Sequence, residues 1–146
     1  MRRLLFAVPF LIACGGAETP PADSVAAAPA ALTEADVAGT WTGTLKPEGS
    51  DSVLGNFTVM ISGGSFTLIA ASAPNDTIRG TYTISGDSSM YSAPAHADAT
   101  FGGAMVTDAG TTRVSGNTFT ARGSVRLAAK PDSVLLNYVA TATKNP

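Results

Sequence analysis

NTFTARGSVRL, residues 117–127, alternates without a break: Phe119, Ala121, Gly123, Val125 and Leu127 fall on one parity, Thr118, Thr120, Arg122, Ser124 and Arg126 on the other. Successive side chains of an extended chain point to opposite faces, so this stretch reads as a strand with one face in a core and one in water. The same signature spreads outward in both directions. In TWTGTL (40–45), Trp41, Gly43 and Leu45 oppose three threonines. NFTVMI (56–61) sends Phe57, Val59 and Ile61 inward. Gly63-Gly64 makes a hairpin turn into SFTLIAA, whose Phe66, Leu68 and Ala70 continue the inward face. TIRGTYTIS adds Tyr82 and Ile84 before Gly86-Asp87, and DSVLLNYVATATK closes the chain with Val134, Leu136, Tyr138 and Ala140 inward. No stretch keeps a helical period past two turns.

From residue 37 onward the aromatics are Trp41, Phe57, Phe66, Tyr82, Tyr91, Phe101, Phe119 and Tyr138, about one per strand. That distribution predicts an all-β domain: a small antiparallel up-and-down barrel of about seven to eight strands, the arrangement that removes exposed sheet edges. Two echoes suit a regular meander. Lys46-Pro47 followed by DSVLGNF resembles KPDSVLLNY near the end, and SGGSFT resembles SGNTFT. Ser88 to Arg113 fits least, because Pro94 and Gly102-Gly103 interrupt the alternation; one or two irregular strands and a long loop over the barrel mouth are expected there.

The inward rows mix large and small residues, with Gly43, Ala70, Ala121, Gly123, Ala140 and Ala142 beside the aromatics. Small residues leave room for an apolar ligand, or they let a narrow barrel close tightly on its aromatics; the sequence is compatible with both. Arg79, Arg122 and Arg126 share the outward, Thr-rich rows, where a bilayer would make charge costly, so a membrane-spanning barrel is disfavoured.

The N-terminus has a different composition. Arg2 and Arg3 precede the ten apolar residues LLFAVPFLIA, and the only cysteine, Cys14, follows. Ten residues rise about 15 Å as a helix, roughly half a bilayer core, which fits an export signal rather than a transmembrane span. Leu11-Ile12-Ala13-Cys14 resembles the lipobox of bacterial lipoproteins. That resemblance implies cleavage after Ala13, a diacylglyceryl thioether on Cys14, and membrane attachment through lipid alone. Gly15 after the cysteine favours the outer membrane. Residues 15–36, rich in Ala and Pro and without Lys or Arg, read as a tether spanning ~25 Å as a flexible coil. A single helical turn near its end, with Thr33 as cap, is compatible with this. The expected organisation is a signal over 1–13, a lipidated Cys14 with tether over 14–36, and a barrel over 37–146.

Gly39-x-Trp41 at the start of the first strand resembles the opening motif of the lipocalins, in which the Trp packs across the closed end of the barrel. GTYTISGD (80–87) is similar to a strand-and-turn element of bacterial lipocalin-like domains. Thr107-Asp108 is similar to the second lipocalin motif but lacks its tyrosine, and Arg126 or Lys144 stands where the family has a basic residue near the last strand. The resemblance implies a lipocalin-like barrel that binds a small apolar ligand. The alternative is a protein-interaction or structural module, an inhibitor or accessory subunit, without a cavity.

Charge narrows the partners. The chain has 9 basic and 11 acidic residues, and loss of Arg2 and Arg3 with the signal leaves 7 basic. Neither a nucleic-acid footprint nor a polybasic lipid patch is present, so the expected partners are the membrane through Cys14 and a small ligand or envelope protein. Enzyme chemistry is not expected. His96, the only histidine, reads as an exposed loop residue, although Asp98 and the serines 88, 89 and 92 are near it; no Gly-x-Ser-x-Gly elbow occurs. Asp87, His96, Asp98 and Asp108 show no metal-ligand spacing. No cofactor, catalytic residue or metal site is assigned from sequence.

Overall fold

A computed structural model of the protein describes residues 31–146; Cys14 and the signal of residues 1–13 lie outside the described residues. One helical turn, α1 (Glu34–Val37), precedes eight strands: β1 (Gly39–Pro47), β2 (Gly55–Ser62), β3 (Ser65–Ala70), β4 (Thr77–Ser85), β5 (Ser88–Asp98), β6 (Ala104–Ser115), β7 (Thr118–Leu127) and β8 (Lys130–Lys144). Each strand pairs antiparallel with its neighbour in sequence, and β8 returns to β1, so the sheet is a closed up-and-down barrel. Every strand thereby has two partners and no edge is left unpaired. Hairpins joining β2–β3, β4–β5 and β6–β7 lie with α1 at one end, the base; the longer β1–β2 and β3–β4 loops form the mouth.

The inward rows are those the alternation marks. Trp41, Phe57, Val59, Phe119, Ala121, Val125, Tyr138 and Ala140 are buried in one cluster. Trp41 meets Phe119 edge-on at 5.1 Å between ring centres, and Phe57 stacks on the same ring at 6.3 Å. At the base, the Gly63-Gly64 turn has φ of 56° and 75°, the left-handed values that a two-residue hairpin with the sheet's own twist requires. Val134 departs from its expected inward place. The β7–β8 register shifts after Val125, so Val134 pairs with outward Arg126 and stays 41% exposed.

The region from Ser88 to Arg113 also differs. Instead of a long loop it forms β5 and β6, joined by a short 3-10 turn over Ala99–Phe101. The cause is a β-bulge between Ala93 and His96. Pro94, which has no N–H to give to a ladder, sits inside it. The extra residue shifts the side-chain parity: Ser89, Tyr91 and Ala93 lie on the inner row before it, His96 and Asp98 after it. A period-2 reading loses the strand at that point.

The stretch Leu32–Val37 docks under the barrel. Glu34 accepts hydrogen bonds from the Gly63 N–H (3.0 Å) and the Tyr82 hydroxyl (2.5 Å), and the Leu32 N–H donates to the Gly86 carbonyl (2.8 Å). Asp36 accepts from the Thr33 N–H and hydroxyl, and these bonds hold its carboxyl below the usual range. Burial, and then the Glu34 bond, push the Tyr82 phenol up. Val37, 2% exposed, closes the base. Glu34→Ala removes an acceptor shared by two elements and should lower stability by about 1–3 kcal/mol. Hydrogen exchange would accelerate first at residues 32–38; unchanged protection there would show that the base closes without this bond.

Candidate functional site

Four inward aromatics lie directly across a strand pair from glycine: Phe57 from Gly43, Phe66 from Gly80, Tyr91 from Gly110 and Tyr138 from Gly123. A ring on one strand can then lie over its neighbour's bare backbone, a pairing used to fill glycine positions in sheets. A Cβ on Gly80 would enter the Phe66 ring, one on Gly110 would strike the Tyr91 hydroxyl, and one on Gly123 would strike both tyrosine hydroxyls. At Gly43 it would meet β8 itself, at the Thr141 carbonyl and Ala142. These small residues are therefore occupied by their neighbours.

The barrel is nevertheless not filled. A cavity of about 190 Å³ runs from a floor of Val37 and Trp41, past Phe57, Phe66 and Leu68, toward Leu54, Thr100 and Phe101 at the mouth. Apolar cavities of ~150 Å³ are large enough to take up a molecule such as benzene. Both sequence alternatives are thus realised together: glycine opposite the rings gives close packing, and a void remains, lined by residues of all eight strands.

The floor is built around Trp41, which is fully buried and donates its indole N–H to the Val37 carbonyl at 2.9 Å. Of the two basic residues considered from sequence, Lys144 is the one that reaches it. Its ammonium lies 5.3 Å from the Trp41 ring centre and donates to the carbonyls of Ala35 and Asp36. Arg126 instead bonds the Pro131 carbonyl and Ser124 on the outside. Gly39 adopts φ of 132°, and a Cβ there would lie 2.7 Å from Lys144 Cε. Gly39→Ala should therefore cost about 1–3 kcal/mol through backbone strain and displacement of Lys144. A chemical denaturation series with Lys144→Ala as a second variant tests this, since additive losses would exclude the shared cause.

The opposite wall carries a chain of hydrogen-bonded polar side chains. Tyr138 donates to Asp108 (2.8 Å to Oδ1, 3.0 Å to Oδ2), and the Tyr91 hydroxyl lies 2.5 Å from that of Tyr138. With the Tyr138 proton committed to Asp108, Tyr91 is the donor of the second bond. Burial raises the Asp108 carboxyl to about 6 against the Tyr138 bond and nearby His96, which lower it. Burial first, and then the Asp108 charge, push both tyrosines far above their ordinary range.

His96 and Asp98 reach the same region through the bulge. His96 pairs with fully buried Val106, two residues from Asp108, and is half-buried rather than an exposed loop residue. Its Nδ1 donates to the Pro94 carbonyl, while Asp98 accepts the Thr100 N–H. Asp87 is sent to the base, 3.9 Å from exposed Arg113. Among the described residues no three of His, Cys, Asp and Glu are grouped as metal ligands. The chain Asp108–Tyr138–Tyr91 was not legible as a site, because its members lie on three strands and meet only through register. The available signal was an acid at inward parity between Val106 and Gly110.

No protein-family model, curated protein or solved structure matches the chain. Fold and site together define a small closed β-barrel with a largely apolar interior cavity and a half-buried carboxylate on its wall.

Proposed function

We propose that the protein is a lipoprotein of the bacterial cell envelope, held by lipid on Cys14 with the outer membrane favoured, whose barrel binds a small apolar molecule. The observation that carries the binding half is the 190 Å³ cavity with its aromatic and aliphatic lining. Gly39, Trp41 and Lys144 at the closed base support a lipocalin-like reading of the barrel. The binding role is supported by a lining dominated by hydrocarbon, whose charged groups Asp98 and Asp108 are held by the Thr100 N–H and the Tyr138 hydroxyl. The anchor rests on Arg2, Arg3 and the Leu11–Cys14 motif.

Two experiments test the two halves. Cys14→Ala should move the protein from the membrane to the soluble fraction and leave the signal uncleaved; an unchanged membrane fraction overturns the anchor. Titration of the full chain with benzene, followed at the single tryptophan, should saturate, and Leu68→Trp should abolish the response by filling the void. A wild-type chain that never responds is not a ligand carrier.

A second reading has its own observation. The repeated Asp-Ser-Val-Leu segments, 51–54 and 132–135, each expose their Val-Leu pair at the mouth end: Val53 51%, Leu54 50%, Val134 41% and Leu135 37%. The first leads into β2 and the second lies within β8, the two strands flanking β1. Such exposed apolar residues favour contact with another envelope protein. Replacing Val53, Val134 and Leu135 by serine, none of which lines the cavity, would abolish that contact and spare benzene binding.

A further inference from the structure

We propose that the cavity selects a compact apolar molecule bearing a hydrogen-bond donor, an alkylamine above all, and rejects the carboxylate of equal length. This rests on the ligand-binding reading above and specifies its chemistry. Among the described residues no Lys or Arg lines the cavity, whereas Asp98 and Asp108 do. The basic groups are placed elsewhere. Arg79 and Arg122 are exposed on the outer face, Arg113 is at the base near Asp87, and Lys144 is beneath Trp41.

Beside Asp108 the two tyrosine hydroxyls offer no free donor, and the other polar residues of the lining, Asn56, Ser72, Ser89, Thr100 and Thr112, carry no charge. Tyr138 spends its one proton on Asp108, and Tyr91 spends its own on Tyr138. Asp108 presents about four lone-pair sites, of which Tyr138 and the Ala109 N–H take part. What the wall offers a ligand at Asp108 is therefore acceptors and negative charge. An ammonium or hydroxyl placed there gains a charge-assisted bond, while a carboxylate placed there would meet the like charge of Asp108.

The groups facing Asp108 are Tyr91, His96 and Asp98 from β5 and Tyr138 from β8, and β7 contributes only neutral Gly123 and Val125. Protonation of Asp108 as pH falls below about 6 therefore weakens amine binding.

The test uses the full chain labelled with ¹⁵N and the Trp41 indole N–H as reporter, titrated with benzene, hexylamine, 1-hexanol and hexanoate at pH 7.5. Hexylamine should bind at least tenfold more tightly than hexanoate, with hexanol between them. Asp108→Asn should bring amine and hexanoate within about twofold, and lowering the wild type to pH 5 should shrink the preference without any substitution. Benzene binding with amine and hexanoate equal in the wild type, or an amine preference that survives both Asp108→Asn and pH 5, overturns this inference and leaves the cavity reading intact. No response to benzene removes the cavity reading, and this inference with it.

Discussion

Gly123→Val is expected to destabilise the protein by about 3–5 kcal/mol, a loss visible as a large drop in the urea midpoint. The first Cβ already collides with the hydroxyls of Tyr91 and Tyr138, and two methyl groups extend the clash. Both rings are held by their neighbours. Tyr138 is 4% exposed and bonded to Asp108, and Tyr91 packs edge-on against Phe66 at 6.1 Å. Overpacking of a filled core costs about 1–3 kcal/mol, and separating the two hydroxyls leaves buried polar groups without partners at about 1–3 kcal/mol each. Thr120→Val, on the outward row of the same strand, should stay within about 0.5 kcal/mol. The contrast separates steric conflict from β-propensity, because both changes introduce the same β-branched residue into β7. A loss at Gly123 below 1 kcal/mol would mean that the tyrosines have slack, and the glycine–aromatic pairs would not be what closes the barrel wall.

That pairing marks the boundary of what the sequence alone could supply. Parity along one strand is a local property, so Phe119, Ala121 and Val125 were legible as inward residues, and so was a barrel built from such rows. Which glycine lies opposite which ring depends on register between strands, and register is set by closure of the whole sheet. Gly110 and Tyr91 become neighbours only when β5 and β6 are aligned past a bulge, and alternation around Pro94 hides that alignment. The same bulge explains why His96 and Asp98 read as loop residues. The repeated Asp-Ser-Val-Leu segments were visible as an echo, yet their exposure was not, because period-2 parity assigns Val134 inward and only the shifted β7–β8 register turns it out. The cavity was undecidable for a similar reason. Its volume is what remains after rings on several strands have each taken a glycine's space.

Asp108→Asn should raise stability by about 3 kcal/mol at pH 8 and by almost nothing at pH 4. Burial lifts this carboxyl from 3.8 to about 6, so between those values the folded protein holds a proton that the unfolded chain has released. Stability contributed by such a group is fully present below pH 4 and is lost as pH rises through 6, at about 1.4 kcal/mol for each unit of the shift. The asparagine has no charge to bury, and its side-chain carbonyl can still accept from Tyr138, so its stability should stay level across the same window. Urea unfolding of both proteins at unit steps from pH 4 to 8 tests this; parallel curves would show that water reaches Asp108 and relieves the burial. The penalty also links the fold to the proposed ligand chemistry. An ammonium seated beside Asp108 would neutralise the charge that the empty barrel tolerates at a cost. Saturating hexylamine should therefore stabilise the wild type most above pH 6, and stabilise Asp108→Asn little at any pH. A hexanoate of the same length would compound the penalty, which makes the direction of the stability change with each ligand a second, independent reading of what the cavity is built to accept.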